Sequence, residues 1–138
     1  MRRRLTKKER EQIYEKCNGH CAYCGCDLNY KDMQVDHVIP LRKGGADELN
    51  NMLPTCGSCN HYKTTFTAEE FRKYLEGIPE RMIRDSIPFK VGMRFGIIQK
   101  KSDPVRFYFE QKTEDRIEKQ GWIPISERVP ENDNYMNS

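Results

Sequence analysis

A chain of 138 residues with 36% hydrophobic and 33% charged residues can form one compact domain with appended structure, and its apolar core must be small. No stretch is long and apolar enough to cross a membrane, and the charged start Met1-Arg2-Arg3-Arg4-Leu5 has no apolar run behind it, so it does not read as a signal peptide. A net charge of +3 alone excludes little; the uneven placement of the basic residues says more.

Thr6-Lys7-Lys8-Glu9 is a capping box, so a helix should start there. Leu5, Ile13 and Tyr14 are its apolar residues, and Asn18-Gly19 should stop it after about Lys16. Arg2, Arg3, Arg4, Lys7, Lys8 and Arg10 crowd this first segment. The turn Cys21-Ala22-Tyr23-Cys24-Gly25 follows, where a glycine after the second cysteine suits a tight bend. Met33, Val35, Val38 and Ile39 describe a strand that carries Asp36-His37 and ends at Pro40. Arg42-Lys43 and the loop Gly44-Gly45-Ala46-Asp47 come next, then a short extended segment Asn51-Met52-Leu53-Pro54. A helix from Gly57 to about Thr64 should carry Cys59, Asn60 and Lys63.

Thr67-Ala68-Glu69-Glu70 is a second capping box, and Phe71, Tyr74 and Leu75 recur at helical spacing before Gly77. Pro79 can open another helix through Arg84 or Asp85, and Pro88 and Gly96 bracket a third. Gly96-Ile97-Ile98-Gln99 and Val105-Arg106-Phe107-Tyr108-Phe109-Glu110 are expected to pair as a β-hairpin across Ser102-Asp103-Pro104. The tail around Trp122-Ile123-Pro124-Ile125 resembles the opening of a small phage-associated domain of unknown function, and residues 120–138 are expected to be poorly ordered.

The six cysteines admit two readings. Disulfides require export, whereas paired Cys-x-x-Cys knuckles, Cys21/Cys24 and Cys56/Cys59, offer four thiolates to a tetrahedral Zn²⁺. Such a zinc would contribute roughly 10 kcal/mol or more to folding a small domain. Two complete knuckles leave no place for His20, although a shell using Cys26 instead of Cys24 is an alternative. Cys17 reads as a small buried apolar residue. Between and just after the knuckles lie Asp36, His37, Asn51 and Asn60. An imidazole, largely neutral near pH 7, can take a proton from water, and a carboxylate can hold a hard cation.

The order Cys21-x-x-Cys24, Asp36-His37-Val38-Ile39-Pro40-Leu41, Gly44-Gly45, Asn51 to Cys56, Cys59-Asn60-His61-Tyr62-Lys63 resembles the HNH endonuclease family over roughly residues 15 to 65. The resemblance implies an α+β fold: a ββα-metal (His-Me finger) core stapled by a structural zinc on four cysteines, here with flanking helices and the C-terminal β-hairpin. It implies metal-dependent hydrolysis of double-stranded DNA to 5′-phosphate and 3′-hydroxyl ends. His37 would be the general base, Asn51 would pin the connecting loop and orient it, and Asp36 and Asn60 would hold the catalytic cation. Histidine is commoner at the position of Asn60, so the chain looks like an HNN variant, which favours Mg²⁺ or Mn²⁺ over a metal that prefers imidazole. Arg42, Lys43 and Lys63 are the candidate DNA-phosphate contacts, with His61 a weaker one.

The expected organisation is a nuclease core over 1–66, a helical and hairpin extension over 67–119 and the tail over 120–138, in an intracellular setting such as the bacterial or phage-infected cytoplasm. A competing reading is a binding module that presents a zinc-stapled basic surface without catalysis. It predicts no metal-dependent nicking and DNA affinity that survives Asp36→Ala. From the sequence alone, Cys56→Ser should release zinc and unfold the hairpin, whereas Asp36→Ala should leave melting nearly unchanged.

Overall fold

Thr6 opens α1 (Lys7–Glu15) through the expected capping box. Its hydroxyl accepts from the Glu9 amide at 3.1 Å, and the Glu9 carboxylate accepts from the Thr6 amide at 3.0 Å. The computed structural model describes residues 3–101 and 103–112; the expected tail over 120–138 lies outside them, as do 113–119 of the expected extension. Past α1, Asn18 (φ 51°) and Gly19 (φ 80°) adopt left-handed conformations that turn the chain into the first knuckle. There the Cys21 amide donates to the Cys26 carbonyl and the Gly25 amide to the Cys21 carbonyl, each at 2.9 Å.

β1 (Gln34–His37) and β2 (Met52–Thr55) pair antiparallel, with Asp36 opposite Leu53 and His37 opposite Met52. α2 (Gly57–Lys63) follows β2 and packs against β1. The Cys56 sulfur caps α2 by accepting from the Cys59 amide at 3.4 Å, so a knuckle residue also starts the helix. The Ala22 amide reaches the Pro54 carbonyl at 2.8 Å and ties the first knuckle to β2. Ile13 of α1 packs with Leu28, Met33 and Met52, and Leu5, Tyr14 and Leu49 flank the cluster. Burial of each such side chain stabilises by roughly 1.5–3 kcal/mol.

Two units are distinguishable. The first comprises the chain through Ala68 together with the chain from Phe107; the second runs from Glu69 to Arg106. The second unit is helical, with α3 (Ala68–Glu76) leading into it, then α4 (Ile78–Asp85) and α5 (Ile87–Arg94). Pro79 lies in the first turn of α4, and Ser86 ends α4 and caps α5 by accepting from the Phe89 amide at 3.3 Å. No helix among the described residues is long and apolar enough to cross a membrane.

The expected C-terminal β-hairpin is a correction. Among the described residues the sheet has two strands, β1 and β2, and residues 108–112 are helical. The strand-like alternation is used for docking. The Val105 amide is taken by the Glu76 carboxylate at 2.9 Å. The amides of Tyr108 and Phe109 go to the carbonyls of Tyr23 (3.1 Å) and Ala22 (2.9 Å). Phe107 and Phe109 are buried against Tyr23, with ring centroids 4.9 and 6.0 Å from it.

Candidate functional site

His37 ends β1, where the chain leaves the sheet and enters the loop that Asn51 pins. The Asn51 amide nitrogen donates to the carbonyls of Ile39 and Ala46, both at 2.9 Å, and its oxygen accepts from the Ile39 amide at 3.0 Å. Asn51 is fully buried, so its own polar atoms depend on these three bonds rather than on water. The loop is drawn so tightly over it that a Cβ on Gly45 would fall 1.8 Å from the Ile39 carbonyl oxygen. Asn51 thus holds the backbone that follows His37. Lys16 braces the same region from α1: its ammonium donates to the carbonyls of Met52 (2.8 Å) and Leu49, and burial pulls its pKa down to about 8.

The His37 ring is buried, and its Nε2 lies 3.0 Å from a carboxylate oxygen of Asp47. Asp47 is in turn held from the N-terminal segment: its other oxygen accepts from the Arg3 amide at 2.6 Å, and its carbonyl accepts from the Arg3 guanidinium at 3.1 Å. Partial burial pushes the Asp47 carboxyl up, but the Arg3 amide and then the His37 ring outweigh it and hold the group below its ordinary value.

Asp36, the residue before His37, is directed into the protein. Its carboxylate accepts from the Tyr23 hydroxyl at 2.7 Å and pairs with the Lys63 ammonium at 2.9 Å and 3.2 Å to its two oxygens. Lys63 also donates to the His37 carbonyl at 3.1 Å. Burial pushes the Asp36 carboxyl above its ordinary value, against the Lys63 ammonium, which pulls it down. The assignment of Lys63 to DNA phosphate is therefore corrected. Its side chain is 0% exposed, because the last turn of α2 lies over β1 and turns it toward Asp36.

Asn60, in α2, donates its amide N–H to the Gln34 side chain at 2.7 Å, which leaves its oxygen as the end available to a cation. A cavity of about 510 Å³ is lined by Asp36, His37, Asn60, His61 and Arg42, among others. His37 and Asn60 also line a cavity of about 500 Å³ with Asp47, Arg3, Arg4 and Arg10. Four of the expected site residues, Asp36, His37, Asn60 and Arg42, thus meet at one opening. Lys43 stands instead over the Phe66 ring, 5.8 Å from its centroid.

The cysteines converge below this site. The sulfurs of Cys21, Cys24, Cys26 and Cys56 all lie within 4.8 Å of one another, a grouping able to hold a metal ion. Cys59 adjoins it: the interaction between the two thiols pulls Cys21 down to about 4 and pushes Cys59 up. The four-sulfur grouping thus takes in Cys26 in addition to three of the knuckle cysteines, with Cys59 beside it rather than within it. Cys17 stands apart, buried, with burial pushing its thiol up to about 12.

Tyr23, Asp47 and Gln34 carry no motif role in the sequence, where Cys26 is only an alternative ligand and Arg3, Arg4 and Arg10 form a diffuse basic segment. Tyr23 lies inside a knuckle and Asp47 follows the Gly-Gly loop, so both have a positional signal. Gln34 has none.

Comparison with known proteins places this site in a family segment. The model of the HNH endonuclease family matches residues 21–76. The CRISPR-associated endonuclease Cas9 of Corynebacterium diphtheriae is 29% identical over 72 residues, which is 50% of this chain and 7% of that protein. The crystal structure of the Type II-C Cas9 enzyme from Actinomyces naeslundii aligns at 22% identity with a TM-score of 0.44, covering 54% of this chain and 8% of that one. The chain thus spans a small fraction of the length of these relatives.

Proposed function

We propose that the HNH endonuclease segment recognised in residues 21–76 makes this chain a metal-dependent nuclease that hydrolyses phosphodiester bonds of double-stranded DNA. The observation that carries the reading is the shared opening of His37, Asp36 and Asn60, with Arg42 on its rim. It brings an imidazole, two oxygen donors and a phosphate-seeking cation to one place.

The residues fit a hard divalent cation. Asp36 supplies a carboxylate oxygen and Asn60 an amide oxygen, a donor set suited to Mg²⁺ or Mn²⁺. Such an ion would neutralise charge on the scissile phosphate and the departing 3′ oxygen. His37 accepts the proton of the attacking water through its imidazole, at the position where β1 ends and Asn51 holds the following backbone. Arg42, with Arg3, Arg4 and Arg10 on the neighbouring cavity, would contact backbone phosphates and set the register of the duplex. With water as nucleophile and the 3′ oxygen leaving, the ends are 5′-phosphate and 3′-hydroxyl.

The thiol cluster fits structural Zn²⁺. Four sulfurs about 2.3 Å from one ion in a tetrahedron lie about 3.8 Å apart, and Cys24 and Cys56 are 3.9 Å apart. Cys21, Cys24, Cys56 and Cys59 are the preferred ligands, since the two knuckles present them in pairs. The core formed by β1, β2 and α2 is then a ββα-metal unit stapled at its base, with the described chain from 67 onward as an extension of the nuclease core. The setting is intracellular, where thiols stay reduced, and a phage or mobile-element role would suit such a nuclease.

The test is incubation of supercoiled plasmid with the zinc-loaded protein and defined metals, followed by mapping of the cut sites and end groups. The reading expects relaxation of the plasmid with Mg²⁺ or Mn²⁺ and ligatable 5′-phosphate ends. An intact plasmid under every divalent cation, with the protein folded and bound to DNA, would support a binding module instead.

A further inference from the structure

Cys26 lies outside both Cys-x-x-Cys pairs, yet the fold builds it into the thiol cluster. The chain after the first knuckle reverses at Gly25 (φ 78°), where a Cβ would fall 2.9 Å from the Tyr108 ring. It then returns alongside residues 19–21. The Cys21 amide donates to the Cys26 carbonyl at 2.9 Å and the Leu28 amide to the Gly19 carbonyl at 2.8 Å, with His20 and Asp27 in an antiparallel bridge between them. Main-chain bonds thus fix the backbone that carries Cys26. Its sulfur lies within 4.8 Å of those of Cys21, Cys24 and Cys56. Cys59 approaches the same group from the first turn of α2. Its thiol interacts with those of Cys21 and Cys56, and its amide donates to the Cys56 sulfur at 3.4 Å.

A structural Zn²⁺ takes four thiolates, and here two sets of four overlap. Cys21, Cys24 and Cys56 are common to both. The fourth place falls to Cys59, which completes the second knuckle, or to Cys26, which completes the grouping within 4.8 Å. We propose that Cys26 and Cys59 are exchangeable fourth ligands of the structural zinc, so that one thiol stands free beside the loaded site. The inference rests on the zinc reading of the cluster and not on the nuclease reaction. Cys26 is exposed and Cys59 half-buried, so the two forms differ in which thiol faces solvent. A free thiol at the rim lets the chain take zinc from, or yield it to, an outside thiol ligand one sulfur at a time.

Cobalt substitution of the full chain under reducing conditions tests this, because the absorption of bound Co²⁺ reports how many thiolates surround it. The parent should show a tetrathiolate spectrum, and Cys59→Ser and Cys26→Ser should each keep it. Each should also hold zinc within about tenfold of the parent in chelator competition, since a fourth thiolate remains. The Cys26→Ser/Cys59→Ser double variant should show three thiolates. Its zinc affinity should fall about 100-fold or more, beyond the roughly 10–100-fold cost of losing an outer-shell partner. A three-thiolate spectrum in either single variant, or a Cys59→Ser protein that binds no metal, overturns the exchange. A second measurement needs no substitution. Iodoacetamide applied to the native zinc-loaded parent, read by peptide mass spectrometry, should label Cys26 in some molecules and Cys59 in others, with zinc retained. Label confined to one of the two describes a fixed shell and overturns the proposal. A tetrathiolate parent with such a fixed shell leaves the zinc staple standing, whereas a parent without a tetrathiolate spectrum overturns both.

Discussion

Replacing Asp36 by alanine removes the anionic partner of an ammonium that water cannot reach. Lys63 has a side-chain exposure of 0%, and Asp36 has 7%. After the substitution Lys63 keeps the His37 carbonyl at 3.1 Å, a neutral acceptor that does not replace a carboxylate. Breaking a buried pair on one side costs about 3–5 kcal/mol. For a unit of this size each kcal/mol lowers Tm by roughly 4–8 °C, so a fall of about 12 °C or more is expected. The sequence alone suggests a silent stability effect, because an isolated Asp-His pair looks like an exposed ligand. The assay is thermal melting by circular dichroism with zinc saturation held equal. The Asp36→Leu/Lys63→Met double variant should melt higher than Asp36→Ala, because it removes both charges together. A melting point for Asp36→Ala within about 1 °C of the parent, well inside the effect of any buried pair, would refute the buried pairing.

Cys56→Ser should release bound zinc and lower Tm steeply, because Cys56 is both a member of the thiol cluster and the N-cap of α2; metal content and melting check this, with Cys17→Ala expected to keep its metal. Asn51→Ala leaves the carbonyls of Ile39 and Ala46 without their donor and should cost about 3 kcal/mol, at 1–3 kcal/mol per buried orphaned group. Denaturant unfolding reads the loss, and hydrogen exchange should localise it to the loop after His37. Lys16 has a folded pKa of about 8 against an ordinary 10.5, so its contribution is fully present above 10.5 and is lost as pH falls through 8. Relative to Lys16→Met, the parent should therefore lose up to about 3 kcal/mol of stability between pH 10 and pH 7. An unfolding difference that is flat over that window would contradict the burial of Lys16.

Local signals were legible where the chemistry is local. The Thr6 capping box, the helix stop at Asn18-Gly19 and Pro88 as a helix opener need only neighbouring residues. The knuckles and the Asp36-His37 step likewise place themselves by spacing. What escaped depends on packing between distant segments. Lys63 reads as a solvent residue in the last turn of a short helix, and only the crossing of α2 over β1 turns it onto Asp36. Phe107 and Phe109 alternate as a strand would, yet a pair of aromatics two apart is satisfied as well by docking on Tyr23, and the amides of Tyr108 and Phe109 find partners in the knuckle. Asp47 looks like a turn residue because nothing nearby in sequence says that the loop folds back onto His37. Cys26 falls outside both Cys-x-x-Cys patterns, and the reversal at Gly25 is what swings it toward Cys24 and Cys56.

The central claim is that His37 is the base of a metal-dependent nuclease, and single-turnover cleavage of supercoiled DNA by the parent and by His37→Ala tests it most directly. With equal zinc content and equal duplex affinity, the variant should cut about 10²–10⁴-fold more slowly. A folded, zinc-loaded His37→Ala protein that cuts as fast as the parent would contradict it.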